Sequence, residues 1–151
     1  MSAEDIKVIQ SGSKFFEAIQ RGQCDGMDEL FIPFLGIMGR DIGKQRQRLG
    51  GDWAIAQAVM NRLQRDAMRK ELGPDLVFIV LNMNQACQKK RVGARHGEGA
   101  FGETMQEALS KMYQLYHPAD EDEPNAVNVE ITEDMSREDV LEKVLDIISK
   151  M

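Results

Sequence analysis

Cysteine and histidine are scarce: Cys24, Cys87, His96 and His117 are all there are of either in 151 residues. Two cysteines cannot build a disulfide framework, nor a zinc site of four ligands. The two histidines have no partnering Cys or His pair, so no metal site is expected. Long apolar runs are also missing. No stretch of 18 apolar residues occurs, which excludes a membrane-spanning helix. The first residues, Met1-Ser2-Ala3-Glu4-Asp5, are neither basic nor apolar, so no signal peptide is read there. Free thiols in a reducing, cytoplasmic compartment follow as the expectation. Aromatics are few, at 6%, which leaves little for stacking on bases, and nucleic acid is not expected as a partner.

What remains is an ordinary globular composition, 42% hydrophobic and 29% charged, of a length that suits one domain spanning 1–151. The net charge of -6 is divided unevenly. Residues 1–39 carry -3, residues 40–96 carry +7 and residues 97–151 carry -10. A basic middle between acidic ends either meets an anion or pairs with the acidic parts of its own fold. A phosphorylated small molecule fits the first reading better than nucleic acid does.

Along the chain, Ser2 with Asp5 forms a capping-box pattern before Ile6, and Phe15, Phe16 and Ile19 give an apolar stripe. Asp28 is placed to cap a helix through Leu30, Phe34, Ile37 and Ile42, with Pro33 in its first turns. Gly36, Gly39 and Gly43 would each cost that helix about 1 kcal/mol, unless they admit another element at close range. Residues Ala54–Val59 read both ways. The alanines suit a helix, whereas Trp53, Ile55, Gln57 and Val59 alternating with them suit a strand. Gly73-Pro74 is a stop. Leu76–Leu81, six consecutive apolar residues, predicts a strand buried on both faces, as in a parallel sheet. Helices are expected over Asn84–Arg95 and Thr104–Tyr116, separated by a mobile glycine-rich stretch from Gly93 to Gly102. Asp120–Glu123 reads as a solvated acidic loop. Val127–Ile131 alternates as a strand. Ser136 and Asp139 cap a last helix with Val140, Val144, Leu145, Ile147 and Ile148 on its core face. This order predicts an α/β fold: a reduced parallel sheet flanked by helices, with a helix-rich N-terminal part.

Few residues announce chemistry. Gly39-Arg40-Asp41-Ile42-Gly43-Lys44-Gln45 lacks both the glycine spacing and the hydroxyl of a phosphate-binding loop. Cys87 and the ten methionines read as packing. The arginines say more. Arg62, Arg65 and Arg69 share one helical face, and Arg91 and Arg95 stand four apart. Guanidinium groups beside a mobile flap suit closure over phosphate; the alternative is salt bridging with the acidic C-terminal third.

Leu49-Gly50-Gly51-Asp52-Trp53-Ala54, Arg62-Leu63-Gln64-Arg65-Asp66, Leu72–Leu81, Arg91-Val92-Gly93-Ala94-Arg95-His96 and Pro124-Asn125-Ala126-Val127-Asn128-Val129 together resemble P-loop small-molecule kinases, in particular invertebrate proteins similar to gluconate kinases and adenylate kinases. The resemblance runs from about Asp28 to Ile148. It implies ATP and Mg2+ as cofactors, and a parallel sheet whose third, fourth and fifth strands would be Trp53–Val59, Leu76–Leu81 and Val127–Ile131. It further implies Arg91 and Arg95 as catalytic lid residues, Arg62 and Arg65 as substrate-binding residues near the phosphoryl acceptor, and Asn125 and Val127 as cofactor-binding residues near the adenine. The family's phosphate loop precedes the matched part and has no counterpart here. Phosphoryl transfer depends on that loop for positioning and charge stabilisation. The expectation is therefore a kinase-family domain for a phosphorylated small molecule or nucleotide that is not an autonomous kinase. The alternative is a non-catalytic oligomerisation or protein-interaction module, including a homo-oligomer.

Overall fold

The computed structural model describes residues 26–96 and 100–151, together with residues 2, 3, 6, 7, 10, 13, 14, 17, 18 and 21. The capping pattern at Asp5, the stripe at Phe15, Phe16 and Ile19, and Cys24 lie outside the described residues. From residue 26 the chain is a mixed helix–strand fold. Its elements are α1 (Met27–Leu49), α2 (Arg62–Leu72), β1 (Phe78–Met83), α3 (Gln85–His96), α4 (Ala100–Tyr113), β2 (Ala126–Ile131) and α5 (Arg137–Ser149). The strands β1 and β2 pair in parallel, Phe78 beside Ala126 and Met83 beside Ile131, with α3 and α4 forming the crossover.

The long helix α1 starts at Gly26, whose φ of 72° suits glycine, and not at Asp28 as a side-chain cap. Asp28 instead reaches α2. Pro33 falls in the second turn, where the carbonyl it leaves unbonded belongs to exposed Glu29. Gly39 has a clear reason to be glycine: a Cβ there would lie 2.9 Å from Glu71 Cβ on α2. The two helices cross at that point, and Arg40 Nη1 bonds Glu71 Oε1 at 3.3 Å beside it. Between the helices, Met27, Phe31, Leu35, Met60 and Met68 form the larger apolar core, with Phe78, Met112 and Leu115 packed against it.

The second cluster joins Cys87, Val129 and Ile131, with Ile79, Met83, Val140 and Ile147 around them. Neighbouring residues on a strand face opposite ways. Phe78 in one cluster and Ile79 in the other therefore place the small sheet between the two. The strand at β1 begins two residues later than its apolar run suggests, and it is not buried on both faces. Leu81 is 41% exposed, whereas Asn82 is buried and donates to Glu130 Oε1 at 2.9 Å.

Residues 52–60 form neither strand nor helix, so a strand over Trp53–Val59 is corrected to an irregular segment. Alternation fits residues for a strand, but a strand needs a neighbour to take its backbone hydrogen bonds. Among the described residues none does so. The outer edge of β1 is met by side chains. Phe78 N–H bonds Asn125 O at 2.8 Å, so the carbonyls of Leu81 and Met83 point away from β2. Tyr113 donates to Met83 O at 3.1 Å. Tyr116 donates to the Asn82 side-chain oxygen, and its hydroxyl stands 3.4 Å from Leu81 O. The glycine-rich stretch is helical at both ends, with Gly93 in α3 and Gly102 in α4. Gly97 and Gly99 lie outside the described residues.

On α5 the capping box is present: Ser136 Oγ accepts from Asp139 N at 3.1 Å, and Asp139 Oδ2 accepts from Ser136 N at 2.7 Å. Its expected core face is only partly used. Val140, Val144 and Ile147 are half-buried and no residue of the helix is fully buried. Leu145 and Ile148, expected inside, are 54% and 51% exposed, beside Leu141 at 56%.

Candidate functional site

The chemistry-bearing residues converge on the start of α2. Asn61 has extended φ and ψ, and its Oδ1 accepts from Gln64 N at 3.0 Å, an N-cap. Asn61 Nδ2 and Gln64 Nε2 then donate to Asp28 Oδ1 at 3.1 and 2.8 Å. Gln64 Oε1 in turn accepts from Met60 N at 2.9 Å. This network fixes the first turn of α2 against the first turn of α1.

One turn further on, Arg65 is fully buried. Its Nε and Nη2 donate to Glu123 Oε1 and Oε2 at 2.6 and 2.8 Å, a two-pronged pair. The same guanidinium donates to the carbonyls of His117 and Pro118, each at 3.2 Å. Arg69 adds a third bond to Glu123, 2.7 Å from Oε1, and its guanidinium lies 4.8 Å from the centre of the Phe78 ring. These arginines hold the Glu123 carboxyl down to about 2; the hydrogen bond from Arg65 is the largest cause, and burial works against it. Arg62, at the more exposed edge, bonds Asp120 at 3.1 Å and Asp122 at 2.8 Å. The acidic loop is thus solvated only in part: Asp120 and Asp122 are exposed, but Glu123 is a buried counter-ion.

Over this network lies an open cleft of about 350 Å³ lined by Asp28, Asn61, Arg62, Leu63, Gln114, Leu115, His117, Pro118 and Asp120. It gathers two carboxylates, one guanidinium and one imidazole, but Asp28 and Arg62 are already engaged within the chain. A second cleft of about 310 Å³, bordered mainly by apolar Phe34, Ile37, Met38, Ile42 and Trp53, lies along α1.

The other expected site residues lie elsewhere. Arg91 Nη2 donates to Met135 O at 2.8 Å and to Thr132 O at 3.3 Å, which ties α3 to the turn before α5. Arg95 is exposed and has no partner among the described residues. Asn125, at a φ of 50°, bonds Pro74 O through Nδ2 at 2.6 Å, and Val127 is 37% exposed on the sheet. Asn125 precedes β2 and Thr132 follows it, so Asn125 and the carbonyls held by Arg91 are roughly 20 Å apart at about 3.3 Å per residue. The structure therefore gathers Arg62 and Arg65 on one acidic loop, and sets Arg91 and Asn125 at opposite ends of a strand.

Sequence reasoning passed over Asp28, Gln64 and Glu123 as partners. Glu123 had one signal, its place at the end of an acidic run before Pro124. For ATP and Mg2+ the fit is poor. Gly39–Lys44 lies inside α1, where the helix ladder uses the backbone N–H groups that would cradle phosphate. Among the described residues no three of His, Cys, Asp and Glu converge as metal ligands. Nor, among them, is any helix long and apolar enough to cross a membrane. Comparison with protein-family models, curated proteins and solved structures finds no match to the chain.

Proposed function

We propose that this chain is a P-loop-kinase-like domain that acts as a non-catalytic interaction module, not as an autonomous phosphotransferase. The observation that carries this reading is the buried Arg65–Glu123 pair. The resemblance assigns Arg65 to the phosphoryl acceptor, yet here its guanidinium bonds a carboxylate and two carbonyls of its own fold. Breaking such a buried pair to free the arginine costs about 3–5 kcal/mol. Meanwhile apolar surface stays uncovered, chiefly Leu141, Leu145 and Ile148 on α5. Exposed apolar patches of this kind mark contact surfaces.

A second reading, binding of a phosphorylated ligand without transfer, draws on Arg95. It has no partner among the described residues and stands on the crossover helix that follows β1, and ligands of α/β sheets favour the carboxyl ends of strands. One thermal-shift titration separates the two. A ligand that prefers the folded state raises the melting temperature by mass action. On the interaction reading, ATP with Mg2+ at millimolar concentration leaves Tm unchanged. A saturable rise that the Arg91→Ala, Arg95→Ala double variant loses selects the phosphate reading instead. Phosphorylation of a small acceptor by the purified chain defeats both.

A further inference from the structure

Between α1 and α2 the chain is held at both ends and bare in the middle. Gly50 N–H bonds Arg46 O at 2.8 Å, and Trp53 Nε1 bonds Gly50 O at 3.0 Å. At the far end Met60 accepts from His117 N at 2.7 Å and donates to Gln64 Oε1 at 2.9 Å. Residues 51–58 between these anchors are all exposed. Among the described residues, no backbone group of 51–59 makes a hydrogen bond. Such groups are obligatory hydrogen-bonding partners, and a neighbouring strand would satisfy them.

The side chains of this strap are those of a strand. Trp53, Ile55, Gln57 and Val59 alternate with Ala54, Ala56 and Ala58. Trp53 and Ile55 are 41% and 39% exposed. From 53 to 59 there is no charge, no proline and no glycine. Exposed strands usually carry such residues to block unwanted pairing, and neutral segments without them are the ones that pair with their own kind.

We propose that residues 53–59 pair as an antiparallel strand with the same residues of a second copy of this chain. This rests on the interaction-module reading and names its partner. A two-fold axis at Ala56 sets Ala56 against Ala56, Ala54 against Ala58, Trp53 against Val59 and Ile55 against Gln57. The alanines share one face of the pair and the larger residues share the other. No like charges oppose each other, so nothing in the segment disfavours an identical partner. Because the strap is anchored at both ends, less ordering entropy opposes pairing than for a free segment.

Sedimentation of the full chain at rising concentration tests this. The wild type forms a dimer. Ala56→Lys sets two ammonium groups opposite each other and weakens the dimer about tenfold or more, with the helical circular dichroism kept because Ala56 is exposed. An equimolar mixture with Ala56→Asp restores it. In a Cys24→Ser background, with buried Cys87 left in place, Ala56→Cys cross-links to itself on mild oxidation. Ala54→Cys and Ala58→Cys cross-link efficiently only when mixed. A dimer that ignores Ala56→Lys but dissolves with Leu145→Lys overturns the strand pairing and leaves the interaction reading standing on α5. A chain that is monomeric throughout also overturns the pairing. The interaction reading itself falls if the same preparation transfers phosphate, or if ATP with Mg2+ raises its Tm saturably and the Arg91→Ala, Arg95→Ala double variant loses that rise.

Discussion

On α2, Arg62, Arg65 and Arg69 follow at intervals of three and four; on α3, Arg91 and Arg95 stand four apart. By spacing the two sets are alike, and both read as candidate phosphate clamps. Their surroundings differ. The acidic loop 120–123 folds back over α2, and Glu123 occupies the donors of Arg65. Around α3 the nearest acceptors for Arg91 are two backbone carbonyls, and Arg95 has no partner among the described residues. Helical spacing tells which arginines share a face. What that face meets is decided by a residue 58 positions away.

Removing one partner on each side sharpens the contrast. Glu123→Ala leaves the buried guanidinium of Arg65 without its counter-ion and should lower stability by about 3–5 kcal/mol in urea denaturation. Equal stability of Glu123→Ala and Arg95→Ala would erase the distinction between the helices.

Acid provides a gentler break. The Glu123 carboxyl is depressed from an ordinary 4.5 to about 2 in the folded chain. Its contribution is fully present above the unfolded value and disappears as pH falls through the folded one. Stability followed by circular dichroism should therefore decline between about pH 4.5 and 2, and Glu123→Gln should flatten that part of the profile. An unaltered slope in the variant would assign the decline to other carboxylates.

On α3 the effects are smaller. Arg91→Ala removes the bonds to Thr132 and Met135 carbonyls and should cost about 1 kcal/mol. Hydrogen exchange should quicken first in the turn before α5. Arg95→Ala should change stability by less than about 0.5 kcal/mol, as for other exposed residues without partners. A larger loss there would reveal a contact on the α3 surface.

Local signals were the legible ones. The Ser136–Asp139 capping box, the stop at Gly73-Pro74 and the two strands each rest on residues adjacent in sequence, and they stand in the structure within a few positions of where they were read. Gly36, Gly39 and Gly43 were legible together as candidate points of close approach because each costs a helix stability, but only at Gly39 would a Cβ come within 3 Å of the neighbouring helix. Glu123 was not, since acidic runs at a surface and acidic residues beneath it look the same in one dimension. Residues Trp53–Val59 show the same limit from the other side: their alternation is that of a strand, and among the described residues no neighbour takes their backbone hydrogen bonds. In α5 the apolar arc was visible, but how much of it the sheet covers depends on the sheet's width, which two strands make small. The pairing of Arg62 with Asp120 and Asp122 follows the salt-bridge alternative raised from the charge distribution.

The phenols at the rim of β1 carry a consequence for alkaline solution. Burial pushes the Tyr116 hydroxyl up to about 12, so it keeps its proton through the range in which an ordinary phenol ionises. While protonated, it and Tyr113 latch the rim of a sheet only two strands wide. A newcomer seeking to extend that sheet has to evict them. Strong base would turn Tyr116 from donor to anion and remove its bond to the Asn82 side chain, so that half of the latch is lost only well above the range of an ordinary phenol.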